Sequence, residues 1–481
     1  MSRVLWPNDP AFHLVNALAH GLTAALLVSL LLALGDSPTA VTCAAAIFLA
    51  FPAHFEVVLW PAALPIALAC SLFLVVCHLT LWRARRGARL EPWKSRGILL
   101  AIAALSFAIP CLYEQPAAGL AALPLLHWAA APSGDRRRWR GGIMVALAAC
   151  AGAAGYLALF WATVRPGTRG TTSALPGLDV LGSEAARVAR EAAARLSLHE
   201  FGAGAITAGL AALLAAPAFT LGLATIAAGC AWLALRPGPE PAPGAPARRH
   251  LVVAFAFAVF LLCWLPLLAA RGTPVSSRLT YAPSLGLAMV LAAARDGLTD
   301  RRGGRSPVAR LIRVVVTGVV TAVAVLACVG MVGVQASYRA RAQADTALGR
   351  TLRRAVPEPP PGTLFLVLAD ARRPVATGAA AFDGEFTSVL VLPQAATPWV
   401  RFAYARHDLF AAEPVAWGVT IAGVSDDGAR IVGLEPAFPM QLDPDPRGGV
   451  VIPWRSMIPL RVDCDGRVHV EGPSAVRAAH S

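Results

Sequence analysis

Charged side chains are scarce in this chain, and lysine is almost missing. Asp, Glu, Lys and Arg together make up 15% of its 481 residues, against 57% that are hydrophobic, and Lys94 is the only lysine. An ordinary soluble domain carries roughly 25% charged residues. The composition therefore argues against a soluble globular protein and favours a protein embedded in a membrane.

Paired cysteine motifs are also lacking. Cys464 stands alone near the C-terminus. The other eight cysteines lie in or beside apolar runs, at positions 43, 70, 77, 111, 150, 230, 263 and 328. Neither a CxxC pair nor a zinc-ligand spacing occurs, so we expect no disulfide and no cysteine-bound metal.

Long apolar runs, in contrast, fill the first 334 residues. About 20 apolar residues suffice for a helix to cross a bilayer core of about 30 Å. The sequence predicts ten spans, at residues 12–34, 39–53, 62–82, 97–113, 116–130, 141–164, 217–235, 251–270, 279–294 and 311–334. The predicted fold of this part is an all-α, multi-pass membrane bundle.

The formal charge of +14 comes from arginines that lie mostly in short connections between these spans. Residues 83–96 and 131–140 are two such connections, and the positive-inside rule makes both cytoplasmic. The charge therefore indicates topology and needs no nucleic acid partner. Together with a composition typical of GC-rich bacterial genomes, it predicts a bacterial inner-membrane protein whose residues after 335 are periplasmic.

Residues 165–216 form the longest predicted periplasmic loop. Ala185, Val188, Ala192 and Leu196 make an apolar stripe at helical spacing, with charged residues opposite. A helix of this kind lies either on the membrane surface or against the bundle, and the sequence leaves both alternatives open.

The chain changes character after the last span. Residues 1–340 form the membrane domain, residues 341–362 a charged helix and Pro-rich linker, and residues 363–481 a small α+β or β domain in the periplasm. Within the last of these, strand-like runs separated by Gly, Asp and Pro occur at 363–369, 386–392, 399–405, 417–423 and 429–435.

Polar residues interrupt the first apolar run at His13, Asn16 and His20. Their spacings of three and four residues place them on one face of a helix. Because polar groups are expensive inside a membrane, this face is a candidate binding surface for a sugar or a phosphate. Hydrogen bonds between neighbouring helices are the alternative explanation.

His54 and Glu56 follow Pro52 at the outer end of the next run, with Trp60 closing the segment. A carboxylate beside an imidazole can orient an acceptor hydroxyl, act as a base or hold a divalent cation. A solvated loop acid is the alternative for Glu56.

Two further stretches place polar residues at the predicted periplasmic face. Glu114 lies between Pro110 and Pro116, where a broken helix pair needs a cavity or protein around it, or else forms a hairpin tip. Arg278 and Tyr281 begin a late span, where a guanidinium is suited to grip a phosphate. A snorkelling arginine and a tyrosine of the aromatic belt are the alternative.

Four stretches follow one another in the chain: FHLVNALAH, FPAHFEVVLW, YEQPAAGLAALPLL and RLTYAPSLGLAMVLA. In this order they resemble the successive motifs of GT-C type membrane glycosyltransferases that use polyprenyl-phosphate sugars. The pattern is most similar to that of the O-mannosyltransferases with tetratricopeptide tails. His13, Asn16 and His20 match the first motif, His54, Glu56 and Trp60 the second, Glu114 the third, and Arg278, Tyr281, Pro283 and Ser284 the fourth.

This resemblance implies an enzyme that moves a sugar from a polyprenyl-phosphate donor to a protein or envelope glycan at the periplasmic face. Glu56 and Glu114 are the candidate catalytic residues. Arg278 would stabilise the departing phosphate. The implied substrate-binding residues are His13, Asn16, His20, His54, Arg278 and Tyr281. No cofactor is firmly implied, and a divalent cation stays open.

The chain departs from the family pattern in three places. Only eleven residues precede Phe12, where the family has a further span and an acid-bearing catalytic loop. Phe51 replaces a histidine and Tyr113 a lysine, and no tetratricopeptide pattern follows. The expectation is therefore a truncated or inactive transferase. The rival interpretation is a transporter, a protein that binds lipid-linked sugar, or a scaffold without catalysis.

Overall fold

A computed structural model gives the structure of the chain. It describes residues 9–51, 54, 57–58, 63–86, 90–132, 138–163, 178–195, 202–218, 220–222, 224–225, 228, 249–269, 277–300, 307–370, 393–412, 420–432, 450–463 and 465–480. The chain divides into two compact units, one of residues 1–201 with 210–331 and one of residues 202–209 with 332–481.

Helices make up nearly all of the described residues before residue 356. In chain order they are α1 (Asp9–Leu34), α2 (Pro38–Leu49), α3 (Leu64–Arg86), α4 (Pro92–Leu112), α5 (Gln115–Gly119), α6 (Leu123–Ala130), α7 (Arg138–Thr163), α8 (Leu178–Arg195), α9 (Gly202–Ala215), α10 (Arg249–Leu262), α11 (Leu265–Ala269), α12 (Tyr281–Asp300) and α13 (Pro307–Ala355). Single 3-10 turns, Leu120–Ala122 and Ser277–Thr280, precede α6 and α12.

Six segments within these helices are long and apolar enough to cross a membrane. They are His13–Leu34, Leu64–Arg86, Pro92–Leu112, Arg138–Thr163, Arg249–Leu268 and Thr317–Ala336. The protein therefore has the helices of a multi-pass membrane protein. The predicted count of ten spans stays a prediction, because α2 has 12 residues, about 18 Å at 1.5 Å per residue, and residues 217–235 lie mostly outside the described residues.

The predicted break between Pro110 and Pro116 is confirmed. Helix α4 ends at Leu112, Tyr113 is extended with φ −163°, and Pro116 occupies the first turn of α5. A proline removes a backbone donor and fixes its own φ, so two of them this close favour an interruption of the helix.

The core of this unit lies where α1, α2, α3, α10 and α12 meet. Its largest fully buried side chains include Phe48, Phe73, Phe255, Leu27 and Tyr281. Tyr281 is the one among these five that brings a polar atom into the core.

The amphipathic helix predicted in the long loop is α8. Val188 and Ala192 are 4% and 6% exposed, and they pack with Trp264 and Leu267. On its other side, Arg187 pairs with Glu184 and Glu191. Of the two alternatives that the sequence left open, the structure favours a helix packed against the bundle.

Buried ions join the helices where α1 turns into α2. The carboxylate of Asp296 in α12 accepts hydrogen bonds from the Ser37 N–H (2.7 Å) and the Ser37 hydroxyl (2.6 Å). Arg249 and Arg295 lie 3.3 Å and 3.5 Å from the same carboxylate. Asp296 is 6% exposed, so these four partners compensate for burying its charge.

The described part of the second unit contains two sheets. Its described elements after α13 are β1 (Leu364–Asp370), α14 (Pro393–Tyr404), β2 (Phe410–Ala412), β3 (Thr420–Val424), β4 (Gly428–Val432), β5 (Val450–Pro453), β6 (Met457–Val462), β7 (Val468–Val470) and α15 (Pro473–His480). The strand orders are β2-β1-β6-β7 and β3-β4-β5. Strand β1 is parallel to β2 and β6, and the other pairs are antiparallel.

Strand β1 forms the centre of this unit. Leu364 and Leu366 pack with Ile431 and Ile452 of the second sheet, whereas Phe365 packs with residues of α13 and α14. Neighbouring residues of a strand point to opposite faces, so this alternation buries both faces of β1. The predicted C-terminal strands are therefore present, and the described part of this unit is a mixture of helices and strands.

Three of the five predicted strand segments correspond to observed strands. Segments 363–369, 417–423 and 429–435 overlap β1, β3 and β4, and segment 386–392 lies outside the described residues. The strand predicted at 399–405 is wrong, because this segment belongs to helix α14. Parallel strands such as β1 and β2 need a crossover connection between them, and that requirement overrides the local strand propensity.

Candidate functional site

The polar face of α1 is buried. Asn16 is 1% and His20 6% exposed, and His13, nearer the start of the helix, is partly buried. Thr23 continues the same face one turn further and is fully buried. Its hydroxyl donates to the Ala19 carbonyl (2.9 Å) and lies 2.9 Å from the hydroxyl of Ser71 in α3.

His20 joins α1 to α12. Its Nδ1 lies 2.8 Å from the Tyr281 hydroxyl, and its Nε2 lies 3.4 Å from the Leu49 carbonyl. A carbonyl oxygen only accepts, so Nε2 carries the proton of the neutral ring and Nδ1 accepts from the tyrosine. His20 and Tyr281, which the sequence placed in the first and fourth motifs, are therefore in direct contact.

His54 makes an equivalent connection from the segment after α2. Its Nε2 lies 2.7 Å from the Ser284 hydroxyl, which in turn donates to the Tyr281 carbonyl (2.7 Å). Because a serine hydroxyl has a single proton, Nε2 of His54 is the donor in their contact. Nδ1 of His54 is buried and has no hydrogen-bond donor among the described residues.

These side chains form one compact group, here called the His–Tyr cluster: His20, His54, Tyr281 and Ser284. The ring centroids of His54 and Tyr281 are 4.5 Å apart, and those of His20 and His54 are 5.3 Å apart. Phe48 stacks on His20 at 5.3 Å and meets the edge of His54 at 4.8 Å. The cluster thus lies against aromatic carbon, where its hydrogen bonds are not in competition with water.

Gly286 allows helices α10 and α12 to approach closely beside the cluster. A Cβ at Gly286 would lie 2.4 Å from the Phe260 nitrogen and 2.6 Å from the Ala256 oxygen, both main-chain atoms of α10. Helices α10 and α12 therefore approach each other through their backbones at Gly286, within about a turn and a half of Tyr281 and Ser284. Any residue with a Cβ at position 286 would hold the two helices further apart.

Gln115 links the third and fourth motifs. Its amide Nε2 donates to the Leu279 carbonyl, in the 3-10 turn that also carries Arg278. Gln115 is 3% exposed, and its Oε1 has no hydrogen-bond partner among the described residues. The turn with Arg278 is thereby fastened to the helix break, and a buried acceptor is left available beside it.

Glu114 is not part of this arrangement. Its side chain is exposed and accepts a hydrogen bond from the Tyr156 hydroxyl at 3.2 Å. No described contact joins it to the His–Tyr cluster. This position agrees with the hairpin tip that the sequence offered as the alternative for Glu114.

Of the remaining candidate residues, the structure describes Arg278 but not Glu56. Arg278 is partly buried in the turn before α12. Glu56, Pro52 and Trp60 lie outside the described residues, so the role of Glu56 stays a prediction. Among the residues that the structure describes, no group of three or more His, Cys, Asp or Glu side chains is arranged to hold a metal ion.

Sequence reasoning left Thr23, Ser71, Phe48 and Gln115 outside the candidate site. Thr23 had a detectable signal, since it extends the spacing of Asn16 and His20 by one more turn. Phe48 and Ser71 are ordinary residues of apolar helices, and only the packing brings them to the cluster.

Comparison of the chain with protein-family models, curated proteins and solved structures gives no match. The resemblance to GT-C transferases therefore stays a prediction that rests on the four sequence motifs alone.

Proposed function

We propose that this protein is a membrane glycosyltransferase that moves a sugar from a polyprenyl-phosphate donor to an acceptor at the periplasmic face. The observation that carries the proposal is the contact of three separate motifs in one buried group. His20, His54 and Tyr281 come from stretches 34 and 227 residues apart, yet they share one polar cluster inside an apolar bundle. Buried polar groups at membrane depth are typical of substrate sites.

The chemistry of the site is suited to a phosphorylated lipid and a sugar. Arg278 lies in the turn at the start of α12, and a guanidinium there can neutralise the phosphate as it departs with its lipid. The buried acceptors, Nδ1 of His54 and Oε1 of Gln115, can each take a hydrogen bond from a sugar hydroxyl. In this role His13 and Asn16 line the approach along α1.

A second candidate function is binding of the lipid-linked sugar without transfer. It is favoured by the chemistry of the His–Tyr cluster, in which no described residue is a carboxylate. Asp296, which is 6% exposed, belongs to the ion cluster beside Ser37 and not to the His–Tyr cluster. Sugar transfer by direct displacement needs a base for the acceptor hydroxyl, and Glu56 is the acid of the second motif that would supply it.

The test uses undecaprenyl phosphate, which is what a donor becomes after the sugar has left. The purified full-length protein in detergent is titrated with this lipid, and its melting temperature is followed. Binding should raise the melting temperature, because a ligand that binds the folded state stabilises it. Arg278→Ala should weaken binding about tenfold, roughly 1.4 kcal/mol, whereas Arg350→Ala, at an exposed site in the second unit, should bind like the wild type.

A second arm separates the two candidates. Membranes that contain the protein receive polyprenyl-phosphate sugars labelled in the sugar, and release of label from the lipid fraction is measured. Binding with release supports the transferase, and binding without release supports the binding protein. If undecaprenyl phosphate does not bind, or if Arg278→Ala binds it unchanged, the proposed site is wrong.

A further inference from the structure

One end of the helix bundle carries three tryptophans, each with a cation against its ring. The pairs are Trp82 with Arg86, Trp93 with Lys94, and Trp139 with Arg138, at 4.6, 5.1 and 5.9 Å from the cation to the ring centroid. All three tryptophans face outward, and Trp93 and Trp139 are 69% and 54% exposed. We call these six residues the basic surface.

The pairs belong to one surface because their helices are in contact. A guanidinium nitrogen of Arg83, near the end of α3, donates to the Gly141 carbonyl (3.1 Å) in the first turn of α7. Residues 87–91 connect the end of α3 directly to the start of α4. The end of α3 that carries the Trp82 pair thus contacts the start of α7 and is followed in the chain by the start of α4.

Helices α4 and α7 also run side by side in the same direction. A Cβ at Gly152 would lie 2.2 Å from the Ala103 oxygen, and a Cβ at Gly155 would lie 3.4 Å from the ring of Phe107. Residue 152 is therefore level with 103, and residue 155 with 107. Trp93 lies ten residues before Ala103, and the residue ten before Gly152 is Gly142. Trp93 is therefore level with the start of α7, where Trp139 lies.

Positive charge dominates here. Besides the cations of the three pairs, the exposed residues of these helix ends include Arg85, Arg96 and Arg140. The one acid among the described residues of these three helix ends is Glu91, which lies 3.0 Å from Lys94. Among the residues described here, the surface thus presents several guanidinium groups that no acid neutralises.

We propose that the basic surface binds the head groups of anionic phospholipids in the cytoplasmic leaflet. Arg86 is the last residue of the α3 span, Lys94 lies in the first turn of the α4 span, and Arg138 is the first residue of the α7 span. Cations at the ends of spans lie at the level of lipid phosphates, and tryptophan rings are enriched at the same level.

The exposed tryptophan rings favour a lipid over a soluble anion as the partner of the basic surface. Each ring offers an apolar face beside a cation, so a bound phosphate would have its glycerol and upper acyl carbons against the indoles. A free phosphate uses only the charges. The proposal is independent of sugar transfer, because the basic surface contains none of the residues of the His–Tyr cluster.

The experiment starts from delipidated protein in detergent, titrated with phosphatidylglycerol or with phosphatidylcholine of the same chains. Melting temperature and native mass spectrometry report binding. Phosphatidylglycerol should bind more tightly than phosphatidylcholine, and the difference should shrink in 0.5 M NaCl, about the regime where exposed charges are screened. Inorganic phosphate at equal concentration should give a smaller shift, and an equal shift would identify an anion site rather than a lipid surface.

Variants locate the effect. The triple variant Arg86→Gln, Lys94→Gln, Arg138→Gln should lose affinity for phosphatidylglycerol by about fivefold for each charge removed. Arg350→Gln, on an exposed residue of the second unit, should bind like the wild type. The proposal is overturned if the wild type binds both lipids equally, or if a folded triple variant keeps the preference.

Fluorescence decides the matter if the triple variant does not fold. Brominated phosphatidylglycerol should quench tryptophan emission more than brominated phosphatidylcholine, and replacing Trp82, Trp93 and Trp139 together by Phe should remove the excess. Trp161→Phe is the matched control, since Trp161 is 64% exposed and lies at the other end of α7, about 33 Å from Trp139 at 1.5 Å per residue. An excess that survives the three substitutions contradicts the proposal.

Discussion

The hydroxyl of Tyr281 lies 2.8 Å from Nδ1 of His20, although 261 residues separate them in the chain. Both side chains are buried, and the phenol supplies the one proton that this imidazole nitrogen can accept. The contact connects the first helix of the bundle to a late one through a single hydrogen bond.

Removing this hydroxyl should destabilise the protein. Tyr281→Phe leaves Nδ1 of His20 buried without a donor, which costs about 1–3 kcal/mol. We expect a lower melting temperature in detergent. Tyr156→Phe is the control, because Tyr156 bonds the exposed Glu114 and its loss should change stability by less than about 0.5 kcal/mol. A Tyr281→Phe variant as stable as the control would show that the hydrogen bond is unimportant.

Position 286 should not tolerate even a methyl group. Gly286→Ala would place a carbon within 2.4 Å of the main chain of α10, so the helices must separate, at a cost of about 1–3 kcal/mol. Gly318→Ala in α13 is the matched control, since a Cβ there meets nothing within 4 Å. Alanine is the better helix former, so the control should gain about 0.5–1 kcal/mol. Thermal melts of both variants give opposite signs if the close approach is real.

Stability should fall as pH rises past the titration of Asp36. Burial raises the pKa of the Asp36 carboxyl to about 6, although the charge of Arg249 opposes this shift. The folded state then holds the proton more tightly than the unfolded chain, whose carboxyl has a pKa of about 3.9. The resulting stabilisation is complete below about pH 4 and is lost as the pH rises through about 6.

Asp36→Asn should remove this dependence on pH. At pH 8 the variant should be more stable than the wild type by up to about 3 kcal/mol, since each pKa unit corresponds to about 1.4 kcal/mol. Below pH 4 the two proteins should melt alike. Asp426→Asn, on a side chain that is 98% exposed, should leave the curve unchanged. Parallel curves for Asp36→Asn and the wild type would refute the assignment to Asp36.

Gln115 should control how firmly the turn with Arg278 is held. Gln115→Leu keeps the apolar volume and removes the donor to the Leu279 carbonyl, so one buried backbone acceptor loses its partner, at about 1–3 kcal/mol. Gln115→Glu keeps the side-chain acceptor but loses the amide donor to the Leu279 carbonyl. It should destabilise the turn as much as Gln115→Leu does, or more. Hydrogen exchange at residues 277–280 should increase in both variants. Unchanged exchange would mean that the turn is held by other contacts.

Local patterns were sufficient for some features of the fold and of the site. The buried face of α1 followed from the spacing of His13, Asn16 and His20, because a helix repeats every 3.6 residues whatever surrounds it. The break near Tyr113 followed from two prolines, whose constraints are local as well.

Other features depend on partners far away in the sequence. Nothing in the first motif shows that His20 meets Tyr281, or that Phe48 lies between His20 and His54, because packing decides these contacts. The segment 399–405 looked like a strand by composition and became helical because β1 and β2 are parallel. Glu114 matched a motif residue in sequence, yet its side chain is exposed and bonds Tyr156.

The distance along the chain between the halves of the His–Tyr cluster has a consequence for biosynthesis. A ribosome adds about 5–20 residues per second, so His54 emerges roughly 10–50 s before Ser284, which follows it by 230 residues. During this interval two imidazoles are already committed to the membrane without the hydroxyl groups that will bond them. Until α12 arrives, these imidazoles depend on other hydrogen-bond partners, such as water or the insertion machinery, because an unpaired polar group is costly in a membrane.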